Sequence, residues 1–397
     1  MTWQNKLEKI KRWANIWLSQ FRVLCIKKQR PQNTVSGKIV VIKIDAIGDF
    51  LIWLDSASQY RECYPNYNIT LICNTACEEI AEHTGFFDRI IAIKNKKFEA
   101  DNSYKKEVLR ILQKQNCNVL LQPAYSRTVD MDILACSIPA DEKIGFVADE
   151  SRENLSRYLT FGWVRKRLDK IYDKLIPSGE EDLMELERNA RFIRGLGHDF
   201  MAGYPTLLPS CIEEGILPEK SYAVLFPGAS SEKKMWPIER FAKVGKYLIK
   251  QKDWDIYLCG SSEEAYLYER FIKAMGHSAQ KDRVHNYFGK TSLLELAEVI
   301  RHAKLFVGND TSGIHFAAAV NTKGICILGE FAYGRFLPYR CERDCAGHEP
   351  IIVCHAGMSC AGCAHGTMTQ ACKKHLLTTG RHLCIENVSV KQVIEQI

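Results

Sequence analysis

The chain has 397 residues, 46% of them apolar and 25% charged, and carries a net charge of +7. That length is long for a single core and favours two domains, while the composition is that of a globular protein rather than a disordered or fibrous one. The mild positive balance suits acidic ligands such as nucleotides, or an anionic membrane surface; no Lys/Arg run interleaved with aromatics marks a nucleic-acid platform, so no nucleic-acid partner is expected. No apolar stretch reaches the roughly 20 residues of a membrane span, and Lys9, Lys11 and Arg12 interrupt the first apolar residues where a secretory leader would need them unbroken. The expectation is a cytoplasmic protein whose 16 cysteines are thiols or metal ligands rather than disulfides.

Residues 1–30 read as a basic amphipathic helix. Leu7, Ile10, Trp13, Trp17, Leu18 and Phe21 recur at helical spacing, among Lys6, Lys9, Lys11, Arg12, Arg22, Lys27, Lys28 and Arg30. This is the pattern of a helix lying on an anionic membrane; the alternative is a helix packed on the protein's own surface. Residues 31–37 form a polar linker that ends it.

From Lys38 the pattern alternates. Lys38–Asp45 is a β-branched strand, Ala46–Asp49 a turn, and Phe50 to about Tyr64 a helix. Ile69–Cys73, Arg89–Ile93 and Cys117–Gln122 continue as strands, with helices over Thr75–His83 and residues 103–115, and a further short strand near Lys143–Phe146. Residues 150–215 are charge-rich and read as a connection. The alternation restarts with strands Tyr222–Phe226, Asp255–Cys259, Leu305–Val307 and Gly324–Leu328, interleaved with helices Ile238–Gln251, Glu263–Met275 and Ser292–His302. Such order implies parallel sheets covered on both faces. The expected fold is therefore α/β, with two doubly wound Rossmann-like halves facing across a cleft that takes the ligand. The boundaries expected are 1–37 for helix and linker, 38–170 for the first domain, 171–218 for the connection, 219–335 for the second domain, and 336–397 for a Cys/His-rich tail closing in a helix.

Four strand-to-helix turns carry chemistry. In Lys43-Ile-Asp-Ala-Ile-Gly-Asp49, Gly48 lets backbone approach a ligand, and Asp49 is either a helix cap or a general base for a hydroxyl nucleophile. In Phe226-Pro-Gly-Ala-Ser-Ser-Glu-Lys-Lys-Met-Trp-Pro237, Gly228 and Ser230 offer N–H and O–H donors, while Lys233 and Lys234 offer charge to a diphosphate. In Cys259-Gly-Ser-Ser-Glu-Glu264, Glu263 or Glu264 suits a ribose contact. In Gly308-Asn-Asp-Thr-Ser-Gly-Ile-His315, Asp310 is placed to cap the following helix, with Thr311, Ser312 and Gly313 at an anion-attracting helix start and His315 one turn in. A base on one side and an anion site on the other describe a transferase using a diphosphate-activated donor. No Asp-x-Asp stands ready for a diphosphate-bound metal.

Taken in order over residues 38–335, these segments resemble glycosyltransferase family 9, the lipopolysaccharide heptosyltransferases. The resemblance implies the two-Rossmann GT-B fold, and inverting transfer from a nucleotide-sugar donor, ADP-heptose, to a glycolipid acceptor of the lipopolysaccharide-core type without a catalytic cofactor. It further implies Asp49 as base, Lys234 on the diphosphate, and Asp310, Thr311, Ser312 and Gly313 as the phosphate and donor-sugar turn with His315 beside it. The commonest family form reads Asp-Ser/Thr-Gly-Pro-Met-His; here the interior is Thr-Ser-Gly-Ile with the Asp-to-His spacing kept, which leaves the donor sugar open. The basic N-terminal helix suits an enzyme working peripherally on the inner face of the bacterial inner membrane. The competing readings are a GT-B enzyme with another donor and a non-catalytic sugar-nucleotide-binding protein.

In the tail, Cys360-Ala-Gly-Cys363 followed by Cys372 and Cys384 supplies four thiols for a structural zinc. The second CxxC of a zinc ribbon is missing, and buried thiols or local disulfides are the alternatives.

Overall fold

The computed structural model describes residues 14, 27–31, 37–148, 162–179, 183–212, 215–276, 280–358 and 368–397. Two compact units hold one six-stranded sheet each. The first sheet comprises β1 (Lys38–Lys43), β2 (Asn68–Asn74), β3 (Arg89–Ile93), β4 (Cys117–Gln122), β5 (Ala140–Phe146) and β6 (Lys174–Ile176), in the order β3-β2-β1-β4-β5-β6. The second comprises β7 (Tyr222–Phe226), β8 (Asp255–Leu258), β9 (Val284–Asn286), β10 (Leu305–Asn309), β11 (Gly324–Ile327) and β12 (Ile351–Cys354), in the order β12-β11-β10-β7-β8-β9. All pairings in both sheets are parallel. Counted within its own unit, each sheet has the same order: third, second, first, fourth, fifth, sixth. That is the doubly wound Rossmann arrangement, in which the connections leave in opposite directions between the first and fourth strands.

The strands form where the sequence is β-branched and apolar without alternation, because both faces of a parallel sheet are covered. Ile39, Val40, Val41 and Ile42 of β1 are all buried, as is every residue of β7. The helices that bear on the site are α1 (Ile47–Cys63), α2 (Glu78–Thr84), α3 (Asn95–Ala100), α4 (Asn102–Leu112) and α5 (Val129–Ser137) after the first four strands. Later come α6 (Gly162–Asp169), α7 (Glu185–Gly195), α8 (Ile238–Tyr247), α9 (Tyr266–Ala274), α10 (Leu293–Arg301) and α11 (Ser312–Ala319), and then α12 (Gln370–Thr379), α13 (Leu383–Asn387) and α14 (Val390–Ile394). One core packs Val40, Ile42, Ile72, Leu120 and Leu134 against Val164 and Leu168 of α6. The other packs Leu225, Trp236, Phe241, Leu258 and Val307 against Ile385, Val388 and Val393. The last two helices, α13 and α14, are thus part of the second core.

Three strands differ from the sequence expectation. β6 lies within the segment read as a connection, β9 was not marked, and β12 lies within the segment read as a tail. Each is three or four residues long, too short to display a period, and each is an outer strand recruited by pairing with a longer neighbour. The amphipathic helix expected over residues 1–30 lies almost wholly outside the described residues. Lys28 and Arg30, which are described, both reach Asp173 Oδ1, at 2.6 and 2.7 Å. Arg30 also donates to the Ala140 carbonyl at 3.2 Å, so this segment docks at the amino-terminal edge of the first sheet, where β5 begins. Among the described residues no helix is long and apolar enough to cross a membrane.

Candidate functional site

Chemistry in a doubly wound sheet concentrates at the carboxyl ends of the first and fourth strands, where the departing loops diverge. In the first unit those loops line a cavity of about 420 Å³. Asp45, Ala46 and Asp49 enter it after β1, and Ser126, Arg127 and Thr128 after β4; Asn74 and Asn95 come from the ends of β2 and β3. The loops are stitched together by backbone acceptors: Asn95 donates to the Ile44 carbonyl and Asn74 to that of Asp45. Lys43, buried in the sheet, pairs with Asp45 at 2.8 Å. Ala46, not Asp49, occupies the N-cap of α1, without a side-chain cap bond. Asp49 stands in the first turn beside Gly48, half-buried on the cavity wall. The capping alternative for Asp49 therefore does not describe its position.

Behind this wall lies a buried ionic group. Asp132, fully buried on α5, accepts from Tyr172 OH at 2.7 Å and Arg165 at 2.8 Å, and lies 3.5 Å from Arg127 Nε. Arg127 also pairs with Asp169 and stacks over the Tyr172 ring. Breaking a buried ion group of this kind by removing one partner is costly, so it holds the loop after β4 in place.

In the second unit the equivalent loops follow β7 and β10. Asn309, the last residue of β10 and fully buried, joins them. Its Oδ1 accepts from Trp236 N at 3.0 Å, and its Nδ2 donates to the carbonyls of Pro227 and Gly228 at 2.8 and 3.1 Å. Lys234, half-buried at the end of this loop, has its Nζ 5.2 Å from the Phe331 ring centroid. A Cβ on Gly228 would overlap the Glu264 carboxylate, so that carboxylate sits directly on the loop after β7. Glu264 also accepts from Ser261 N and Oγ, both at 2.9 Å, whereas Glu263 is exposed. Of the two acidic candidates, only Glu264 is thereby held against the β7 turn. Ser230 is exposed on the same loop.

After β10, Thr311 takes the N-cap of α11 and no side chain caps it; Thr311 Oγ1 instead donates back to the Asn309 carbonyl at 3.4 Å. The expected cap by Asp310 is thus not formed, because the helix begins one residue later, at Ser312. Ser312 is half-buried in the first helical turn. Gly313 is buried there: a Cβ would lie 2.8 Å from the Phe306 ring and 3.0 Å from Phe226, so only glycine lets the helix start sit this close to the strands. Asp310 is left buried with its carboxyl pushed up by loss of solvent, an effect that the positive charges of Lys234 and Arg335 only partly oppose. His315 is buried too, and loss of solvent lowers its ring to about 3.

The tail candidates divide. Cys360 and Cys363 lie outside the described residues. Cys372 and Cys384 are buried, and Cys372 Sγ is 3.9 Å from His382 Nδ1. Among the described residues no three His, Cys, Asp or Glu side chains gather as a metal site. The same segment bears on the β7 loop: His382 N donates to the Lys233 carbonyl at 3.1 Å, and Trp236 Nε1 to that of Val388 at 2.9 Å. Asn309, Arg335 and Tyr339 were not among the sequence candidates. Asn309 was signalled by a lone amide closing an apolar strand; Arg335 and Tyr339 lie in a Phe/Tyr-rich stretch with no motif.

Residues 205–355, which span both loops of the second unit, match the family model "Glycosyltransferase family 9 (heptosyltransferase)". Through this segment the chain resembles glycosyltransferase family 9. A relative, lipooligosaccharide heptosyltransferase 2 of Campylobacter jejuni, is 27% identical over 176 residues, 43% of this chain and 48% of that protein. The chain therefore spans about half the length of this curated relative. Escherichia coli ADP-heptose lipopolysaccharide heptosyltransferase II superposes with a TM-score of 0.62 at 16% identity, covering 90% of this chain and 97% of that one. The iron-containing dodecameric glycosyltransferase TibC of enterotoxigenic E. coli superposes at 0.53 with 13% identity, covering 93% and 75%. These likenesses establish the GT-B fold, two Rossmann-like domains, for this chain.

A raised carboxyl binds more protons folded than unfolded. Its penalty is absent below the ordinary Asp range and grows as pH rises through the folded value. Asp310→Asn should therefore raise Tm at pH 7.5 and lose that gain near pH 4; 1 kcal/mol reads as about 2–4 °C in a domain of this size. A lower Tm at pH 7.5 in calorimetry would show that Asp310 is stabilising instead.

Proposed function

We propose that this chain is an inverting, metal-independent glycosyltransferase that moves a sugar, heptose from ADP-heptose, onto a glycolipid acceptor of the lipopolysaccharide-core type. The observation that carries this reading is the family 9 match over the β7 and β10 loops, joined to a carboxylate, Asp49, on the wall of a cavity at the equivalent point of the first unit. Residues 38–170 serve as the acceptor domain and 219–335 as the donor domain. Asp49 takes the proton of the acceptor hydroxyl as its oxygen attacks the anomeric carbon from the face opposite the diphosphate. The anomeric C–O bond breaks as the new one forms, and the electron pair leaves on the nucleoside diphosphate. Lys234 and the backbone N–H groups at the start of α11 receive that charge, which a preorganised site stabilises without reorienting solvent. Gly228, Ser230, Thr311, Ser312 and Gly313 line the phosphates, and Glu264 holds the ribose hydroxyls, because its carboxylate rests on the β7 turn.

Asp49→Asn should lower kcat by about 10²-fold or more while leaving ADP binding within about twofold, since it removes a base but keeps the shape. Heat-stabilisation by ADP and ADP-heptose, with no shift from UDP, GDP or dTDP, is the expected donor signature. A shift with another nucleotide replaces the donor. Full nucleotide binding without turnover by the native chain supports a non-catalytic protein instead.

The tail thiols Cys360, Cys363, Cys372 and Cys384 are proposed to hold a structural metal. Cys372 and Cys384 are buried on the adjoining helices α12 and α13, and thiolates suit zinc or iron. Elemental analysis of the purified protein should find close to one zinc or iron per chain, lost in Cys384→Ser; a metal-free native protein of full stability rejects it.

Residues 1–30 are proposed to hold the protein on the anionic inner face of the bacterial inner membrane. Deleting residues 1–26 keeps the Lys28 and Arg30 pairs with Asp173 and should release the protein from anionic vesicles in flotation without loss of turnover on a soluble acceptor. Undiminished flotation would remove the membrane role.

A further inference from the structure

The chemistry above uses the α11 helix start and leaves unassigned what the buried ring of His315 does. His315 Nδ1 lies 2.6 Å from Tyr339 OH, and this is the ring's hydrogen bond among the described residues. The Tyr339 phenol is itself held in place: its ring meets Tyr204 edge-on at 5.0 Å, and Tyr204 stacks on His348 at 4.9 Å. Phe336 meets His315 edge-on, with the ring centroids 6.2 Å apart.

A neutral imidazole has one N–H and one bare nitrogen, and which is which follows from its partners. Burial keeps the Tyr339 hydroxyl protonated and the His315 ring uncharged. The phenol O–H must find an acceptor, and among the described residues its partner is Nδ1. Were Nδ1 to carry the proton instead, a buried O–H would be left with no acceptor, a costly arrangement. The proton of the ring then belongs on Nε2.

We propose that Tyr339 is a positioning residue that locks His315 as its Nε2–H tautomer, so that His315 gives the donor's diphosphate a fixed hydrogen-bond donor rather than a proton. This rests on the reading of the α11 turn as the diphosphate site. Neither residue gains or loses a proton: an N–H···O hydrogen bond forms to a phosphate oxygen, and the departing diphosphate leaves as the anion. A fixed, oriented donor at this point strengthens its hydrogen bond as charge accumulates on the oxygen.

The test uses full-length protein labelled with 15N in histidine, and reads each ring's tautomer from long-range 1H–15N correlations. The native chain should show His315 as Nε2–H, and Tyr339→Phe, which removes only the hydroxyl, should populate the Nδ1–H form. ADP binding by calorimetry supplies the second readout. His315→Gln places its amide N–H near the Nε2 position and His315→Asn near Nδ1, so the Gln variant should bind ADP at least about tenfold more tightly than the Asn variant. An Nδ1–H ring in the native protein, an unchanged tautomer in Tyr339→Phe, or equal ADP affinity of the two His315 variants overturns the proposal. If the native chain shows the Nε2–H ring but binds no ADP, the diphosphate reading fails while the Tyr339 assignment stands.

Discussion

A parallel strand cannot turn back on itself; it must leave its sheet at the carboxyl end and return by a crossover. In a sheet ordered third, second, first, fourth, fifth, sixth, the loops after the first and fourth strands leave toward opposite faces and cannot fill the gap between them. Both units of this chain carry that order, so the topology sets a switch point at the equivalent place in each without any residue being selected to make one. What residues decide is how each switch point is furnished. In the first, the loops after β1, β2 and β3 are tied together by Asn74 and Asn95, and a half-buried carboxylate, Asp49, is left on the wall.

In the second, a single amide does most of the organising. Asn309 spends both its polar atoms on the loop after β7, one on Trp236 N and one on the Pro227 and Gly228 carbonyls. The next residue, Asp310, is thereby carried into the interior at the same loop, where burial works against its ionisation and Lys234 and Arg335 work for it. An acid held this way is an expense to the fold, the usual sign that a position serves binding rather than stability. The C-terminal segment completes the arrangement from behind, through Val388 on Trp236 and His382 on Lys233. Residues far apart in sequence therefore fix the geometry of one lysine.

The candidate turns were legible because each combines a strand end, a glycine or hydroxyl cluster and a helix start within a dozen residues, and such local patterns survive without knowledge of the fold. Lys234, Gly228 and Asp310 fall on the loops that the second sheet brings to its switch point, and Gly313 in the helical turn that follows. The cap assigned to Asp310 failed for an equally local reason: Asp and Thr both cap helices, and which one does depends on where the strand lets go. The choice between Glu263 and Glu264 had no sequence signal, since it turns on which side chain meets Gly228 from a different strand.

By itself the sequence determined the class of the fold, the first and fourth strands of each half, and the residue types offered at their ends, because hydrophobic period and turn chemistry are properties of short segments. Only the tertiary structure decided that Lys174–Ile176 and Ile351–Cys354 are strands, that the Cys/His-rich end belongs to the second core, and that Tyr339 stands against His315. Those outcomes come from pairing and burial between segments distant along the chain. A three-residue strand is stable only when a neighbour supplies its hydrogen bonds, and the tautomer of a buried histidine is set by whichever hydroxyl the fold places beside it.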